Sequence, residues 1–493
     1  MISPPRFVRT ALHATVVASL ALAAAPAAAA TITVNSLADT TGGAECTLRD
    51  AVAAANTDMA SGGCTGGSGS DTITFSVSGI ISPAIPFRLS STILIDGNGQ
   101  QVVINGNDRF RMFDIFDAVT LQNLTVSHAG EGAVYIFQGS LLVKRVVFSH
   151  NRGPQGAAII AIRGTPLTVI ESTFADNIAV SDGGAIYSLG PLRISDSTFM
   201  GNRAARGGAI AIRSARLDLF NSTLSGNSAV AGGGGIDGSV NPDIVILHST
   251  IVGNRGSGVA SDSGAILDID NSILAGNDRD CGIEHFSGFH RNLIGDDSCG
   301  VGTGDLALRG DPMLGPLADN GGATATHALL PGSPAIDAGD GSTCATLASD
   351  QRGSPRPVDG NLDGTAVCDL GAFEYSRLFD FSGFLAPVDN LPTVNAIKAG
   401  RAVPVTFSLS GDQGLAILAP GSPSSQRITC DSGAPVSEVE QTATAGASAL
   451  PYDAPTDTYT YVWKTDKAWA GTCRQLVVQL ADGTFHLASF RIK

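Results

Sequence analysis

Between residues 119 and 278 apolar and polar side chains alternate in short runs, as in Leu192-Arg-Ile194-Ser and Leu217-Asp-Leu219-Phe. Alternation is the period of a strand with one buried face, and few stretches carry the three-and-four spacing of an amphipathic helix. The runs recur, and each closes on a similar heptad: Glu171-Ser-Thr-Phe-Ala-Asp-Asn177, Asp196-Ser-Thr-Phe-Met-Gly-Asn202, Asn221-Ser-Thr-Leu-Ser-Gly-Asn227, His248-Ser-Thr-Ile-Val-Gly-Asn254 and Asn271-Ser-Ile-Leu-Ala-Gly-Asn277. A degenerate earlier copy ends in Phe148-Ser-His-Asn151. The closing asparagines Asn151, Asn177, Asn202, Asn227, Asn254 and Asn277 lie 26, 25, 25, 27 and 23 residues apart. Glycine-rich steps follow, at Gly183-Gly-Ala-Ile186, Gly207-Gly-Ala-Ile210 and Gly234-Gly-Ile236. A period of about 25 residues holds three short strands and three turns, one coil of a parallel solenoid that hides its apolar face only by stacking. Glycine and asparagine suit the corners because both tolerate positive φ. Stacked asparagines can donate and accept along the axis, forming an amide ladder at the strand spacing of about 4.8 Å. A leucine-rich horseshoe would need helical faces that the repeats lack.

The ends of the chain read differently. Arg6 and Arg9, an apolar run from Ala11 to Ala25 and small residues up to Ala30 have the order of a Sec-type secretory signal peptide over residues 1–30. No later stretch is apolar enough to span a bilayer, so the mature chain is expected to be soluble, secreted or surface-bound, and monomeric. The net charge of −15 is spread along the chain, which excludes a nucleic-acid partner and a polybasic membrane patch. The eight cysteines fall into local pairs, Cys46/Cys64, Cys281/Cys299, Cys344/Cys368 and Cys430/Cys473, the simplest disulfide pairing. A bridge closing a loop of about 18 residues stabilises by roughly 3 kcal/mol.

The repeat elements resemble those of bacterial polymorphic outer-membrane proteins and other right-handed β-helix surface proteins, which places the core, residues 71–310, in the all-β class as a right-handed parallel β-helix. Cys46-Thr-Leu-Arg-Asp-Ala, opening an amphipathic helix with Leu48, Val52 and Ala55 inward, resembles the CSLREA domain and implies an N-terminal cap over residues 31–70. Thr47 and Asp50 replace that family's serine and glutamate. Asn292-Leu-Ile-Gly295, Asp311-Pro-Met-Leu-Gly-Pro-Leu317, Ser333-Pro-Ala-Ile-Asp-Ala-Gly339 and Asp369-Leu-Gly-Ala-Phe-Glu374 resemble the choice-of-anchor Q domain, assigned to residues 311–376, which implies extracellular placement and no reaction. Residues 378–493 carry short strands, Ala402–Ser408, Tyr459–Trp463 and Gln475–Leu480, and resemble the PxKF domain, here with Thr406 at the name-giving lysine; an Ig-like β-sandwich is expected.

Chemistry is sparse. Asn56-Thr-Asp58, Gly295-Asp-Asp297 and Arg491-Ile-Lys493 mimic polygalacturonase motifs, but paired carboxylates must lie within several ångströms. Asp58 and Asp297 belong to opposite ends of a solenoid. For a lyase, Arg163 and Arg213 end apolar strands with Leu189 between them, and no acidic cluster is evident; solvated arginines are the simpler reading. His128, His150 and His248 fall at turns and are expected to cap the ladder or face solvent. Asn123-Leu-Thr125 and Asn221-Ser-Thr223 match the glycosylation triplet but read as repeat residues. The best small-site candidate is Asp359, Asn361 and Asp363, with Gly364 at the sixth position, the first half of a calcium loop. Its twelfth position is Leu370, so Asp369 or Glu374 would complete it. The function expected is a structural or adhesin-like surface protein, not an enzyme, meeting polysaccharide or another cell-surface ligand. The alternative is a polysaccharide lyase or glycoside hydrolase on the same fold.

Overall fold

The computed structural model describes residues 29–493 apart from 163, 263, 284–285, 301–306, 345, 362, 377–378, 416, 420, 431–439, 445–449, 481 and 483. The expected signal peptide lies, up to residue 28, outside the described residues. The chain winds into a right-handed parallel β-helix with sheets of 11, 11 and 12 strands. A representative coil places Leu192–Ser195 in the first sheet, Thr198–Met200 in the second and Ile210–Arg213 in the third.

Alternation in each strand sends one set of side chains inward, and strict register stacks like on like. Val143, Val169, Ile194 and Leu219 form one such column in the first sheet. In the second sheet Phe148, Phe174 and Phe199 stack face to face, with ring centroids 5.1 and 4.5 Å apart. These rings are fully buried, and each contributes on the order of 2–3 kcal/mol by leaving water. The corner between the two sheets is the first residue of each heptad. Glu171, Asp196, Asn221, His248 and Asn271 all have positive φ there, which turns the chain without a glycine. The serine that follows forms a second ladder: the amides of Ser172, Ser197, Ser222 and Ser249 donate to the next coil's hydroxyl at 3.1–3.3 Å. Ser272 ends it by donating to Asn292 Oδ1.

The first coils are covered by a helix over Leu48–Thr57, capped by the Thr47 side chain on Asp50 N. Its inward residues Leu48, Ala51, Val52 and Ala55 join the solenoid core. After the last coil the chain doubles back across the second sheet as a strap. Thr198 donates to Ala325 O, Thr223 to Gln351 Oε1, and Ala372 N to Thr250 Oγ1. Leu329, Ala335, Leu370 and Phe373 pack there on Val252, Ile273 and Leu293. Beyond the strap, two five-stranded sheets share a core of Val405, Phe407, Tyr459, Trp463, Leu476 and Phe490. Apart from the parallel pair Val394–Ile397 with Phe485–Ile492, these strands are antiparallel. Four disulfides join Cys46–Cys64, Cys281–Cys299, Cys344–Cys368 and Cys430–Cys473.

Candidate functional site

The recurring asparagines converge into one buried column. The Nδ2 groups of Asn151, Asn177, Asn202, Asn227 and Asn254 each donate to the Oδ1 of the next asparagine at 2.9 Å, and Asn277 Nδ2 ends the column on Asp280 Oδ1. This column is structural, since it has no free polar valence to offer a ligand.

The candidate calcium loop folds onto itself. Asp359 accepts from the amides of Asp363 and Gly364, Asn361 from Asp363 N, and Asp363 from Thr365 N. Asp337 also meets the loop, accepting from Gly360 N and Asn361 N. Asp369 and Glu374, offered as completing ligands, are engaged in the buried strap. Asp369 Oδ1 holds Asp337 N, and Glu374 holds the buried Arg356 guanidinium at 2.8 Å. Burial and the adjacent Glu374 push the Asp369 carboxyl well above the usual carboxylate range. Their place is therefore structural, because the strap's backbone and Arg356 claim both groups.

Two expectations are corrected. His248 does not face solvent: it sits at its corner but is fully buried under the strap, 3.3 Å from Asn271 Nδ2. Burial, and then Arg356 nearby, lower its pKa to about 3. Arg213 is not a free solvated cation: it pairs with Asp182, bonds Ser239 Oγ and lies over the Tyr187 ring. Asp237, beside it and 5% exposed, is raised by burial, with Arg206 and Arg213 pulling the other way. An acidic and basic cluster thus exists on the third sheet where the sequence showed none. Arg163 lies outside the described residues. Asp58 ends the cap helix and Asp297 pairs with Arg309 near the other end of the solenoid.

The most developed surface feature lies on the outer face of the third sheet, beside the cap. Register aligns Arg88, Asp114, Tyr135, Ile160 and Tyr187 in one outward column. Alternation explains the direction, because the neighbours Phe113, Ile115, Val134 and Ile136 are fully buried. Phe116 and Phe137 stand next to this column with rings parallel, centroids 4.9 Å apart and planes inclined by 2°. Tyr135 lies 4.2 Å from Phe137, centroid to centroid. Two guanidinium groups cover the rings: Arg88 is 4.1 Å from the Phe116 centroid, and Arg111 is 5.2 and 5.4 Å from Tyr135 and Phe137. Arg111 also pairs with Asp114 at 2.7 Å, fixing its plane. Burial raises the Asp114 carboxyl, with Arg111 and Arg88 opposing. Tyr135, Phe116 and Phe137 are half-buried and open to the surface. The result is a strip of stacked aromatic rings capped by two guanidinium groups, with one carboxylate holding Arg111. Sequence reading missed it because its members come from coils that lack the clear heptad. The only signal was the alternate aromatics Tyr135 and Phe137, with Arg111 and Phe116 in the preceding coil.

A second concavity, of about 660 Å³, runs between the second sheet and the strap hairpin, lined by Gly226, Gly253, Gly276, Leu314 and His327. There His327 Nδ1 donates to Gly315 O at 2.8 Å, so its Nε2 accepts from Ser225 Oγ at 2.9 Å. Among the described residues no helix is long and apolar enough to cross a membrane.

A family model described as a right handed beta helix region matches residues 102–297. No curated protein matches the chain. Among solved structures, a match is Jun a 1, the major allergen from cedar pollen, at 14% identity and a TM-score of 0.31, covering 52% of this chain and 79% of that one.

Proposed function

We propose that the protein is a secreted or cell-surface β-helix that binds polysaccharide through the aromatic and arginine strip of its third sheet. One observation carries this reading: Phe116, Phe137 and Tyr135 form a half-buried stack open to the surface, Phe116 and Phe137 in parallel planes and Tyr135 inclined by 29° to Phe137, with Arg88 and Arg111 over the rings and Asp114 paired to Arg111. The exposed sides of such a stack offer apolar contact to sugar C–H groups, while the guanidinium groups and the carboxylate select hydroxyls or carboxylates. In this reading residues 1–30 are removed on export, 31–70 cap the helix, 71–310 present the binding face, 311–376 strap it, and 378–493 form a spacer or docking module. Disulfides and the absence of a membrane-crossing helix among the described residues are compatible with an extracellular site.

A glycan array with the mature protein, followed by titration of the tightest ligand, tests the proposal. Phe137→Ala and Tyr135→Ala should each weaken binding about tenfold, or ~1.4 kcal/mol, without lowering the melting temperature. Unchanged affinity in both would overturn it. A second reading, polysaccharide cleavage, is favoured by the meeting of Arg213, Asp182 and Asp237 near Tyr187 on the same sheet. Release of unsaturated or reducing-end products, abolished in Arg213→Lys, would establish cleavage instead of simple binding.

A further inference from the structure

At the carboxy-terminal edge of the first sheet, on its outer face, Asp268, Asp270 and His290 offer ligand atoms that all lie within 4.8 Å of one another. Among the described residues no other trio of His, Cys, Asp or Glu does so. The geometry follows from strand alternation and register. Asp268 and Asp270 are two apart on one strand and share a face, and pairing with the next coil sets Asp270 opposite His290 and Asp268 opposite Gly288. His290 Nδ1 stands 3.0 Å from Asp270 Oδ1.

Asp268 gives the independent sign that something is missing. Its Oδ1 is closed to solvent and has no hydrogen-bond partner. Gly288 makes the room it occupies, since a Cβ there would lie 2.3 Å from Oδ1. Burial raises this carboxyl and Asp270 raises it further, with Asp243 in the same direction, while His290 and Arg216 act the other way. Arg216 does not supply the missing donor, because it is held by Asp218 at 2.8 Å and Asp243 at 2.6 Å. A carboxylate placed beside a second carboxylate, with one oxygen shut off and undonated, is unfavourable until a proton or a cation joins them, and the neighbouring imidazole suits a metal cation.

We propose that Asp268, Asp270 and His290 form a binding site for one divalent cation of the zinc class. Two carboxylate oxygens and one imidazole nitrogen suit a borderline metal, and the exposed side leaves a position for water or a sugar hydroxyl. Calcium would demand six to eight oxygen donors, and an imidazole is a poor substitute. This site is on a different sheet from the aromatic strip, and it stands or falls independently of polysaccharide binding.

The test is isothermal titration of the chelator-stripped mature protein with zinc chloride, in buffer containing excess calcium chloride. One saturable equivalent is expected. Asp268→Asn and His290→Gln should each weaken it at least tenfold while the circular-dichroism melt without metal stays unchanged. The double substitution Asp359→Asn and Asp363→Asn, in the separate acidic loop, should leave zinc affinity intact. Cobalt in place of zinc should give visible d–d absorption that both first variants abolish. Absence of saturable zinc binding, wild-type affinity in the Asp268→Asn/His290→Gln double variant, or loss of binding in calcium would each overturn the assignment.

Discussion

Asn202 uses every hydrogen-bonding position of its side chain. Its Nδ2 donates to Phe174 O and Asn227 Oδ1, both at 2.9 Å, and its Oδ1 accepts from the amide and the Nδ2 of Asn177. Truncation to alanine removes four bonds and leaves buried polar partners without water to replace them. Asn202→Ala should therefore cost about 3–5 kcal/mol in urea unfolding, well beyond a surface substitution. A loss under about 1 kcal/mol would show that the column contributes little. His248 makes a second residue-level prediction, with a sign. Its folded pKa is about 3, below the ordinary 6.5, so between these values the unfolded chain binds the extra proton. The contribution of His248 is thus whole above pH 6.5 and shrinks as pH falls toward 3, with a slope approaching ~1.4 kcal/mol per pH unit. His248→Asn, matching Asn221 and Asn271 in the same corner column, should remove that part of the acid dependence. Unfolding measured across this range should show a flatter curve for the variant than for the native chain.

At the level of elements, the parts legible in the sequence were those with a repeating constraint. Inward columns and corner residues recur about every 25 residues because each coil must sit on the last, so Asn177, Asn202 and Asn227 announced their own alignment. The cap helix was legible for a local reason: an inward stripe of Leu48, Val52 and Ala55 opening on the Cys46-Thr-Leu-Arg-Asp-Ala string, while its Thr47 N-cap emerged only in the structure. Outward positions carry no such constraint. Asp114 and Tyr135 are 21 residues apart and Tyr135 and Ile160 are 25 apart, so only the paired strands show that they share a column. The same holds for Asp268 and His290, brought together by a coil of shorter length. The acidic loop at Asp359–Asp363 gave a clear local signal, yet its oxygens hold the loop's own amides. Calcium there would have to compete with those bonds. If calcium does occupy the loop, melts in calcium and in chelator will differ, and Asp359→Asn will erase the difference. Equal melting temperatures for the native chain would mean that the amides alone close the turn.

Across the whole molecule, the strap couples distant coils in a way that the repeat pattern did not disclose. Gln351 is 2% exposed and touches three places at once: its Nε2 donates to Thr198 Oγ1 and Thr324 Oγ1, and its Oε1 accepts from Thr223 Oγ1. One glutamine thus ties strap residues to two adjacent coils more than a hundred positions earlier in the chain. Arg356 does the same through Asn221, Gly371 O and Glu374. The carboxy-terminal sandwich, in contrast, has a core that shares no residue with that of the solenoid. Two cooperative units follow from this arrangement: solenoid with strap, and sandwich alone. Scanning calorimetry of the mature protein should resolve two transitions. Gln351→Ala leaves the buried Thr223 hydroxyl without its acceptor, removes the tie between strap and coils, and should lower the solenoid transition, by an amount matching about 2–4 kcal/mol, without moving the other. Limited proteolysis should then cut the variant first within residues 311–376. A single transition, or one in which both peaks shift together, would mean that the sandwich and the solenoid stabilise each other, and that the last 116 residues belong to the same folding unit as the solenoid.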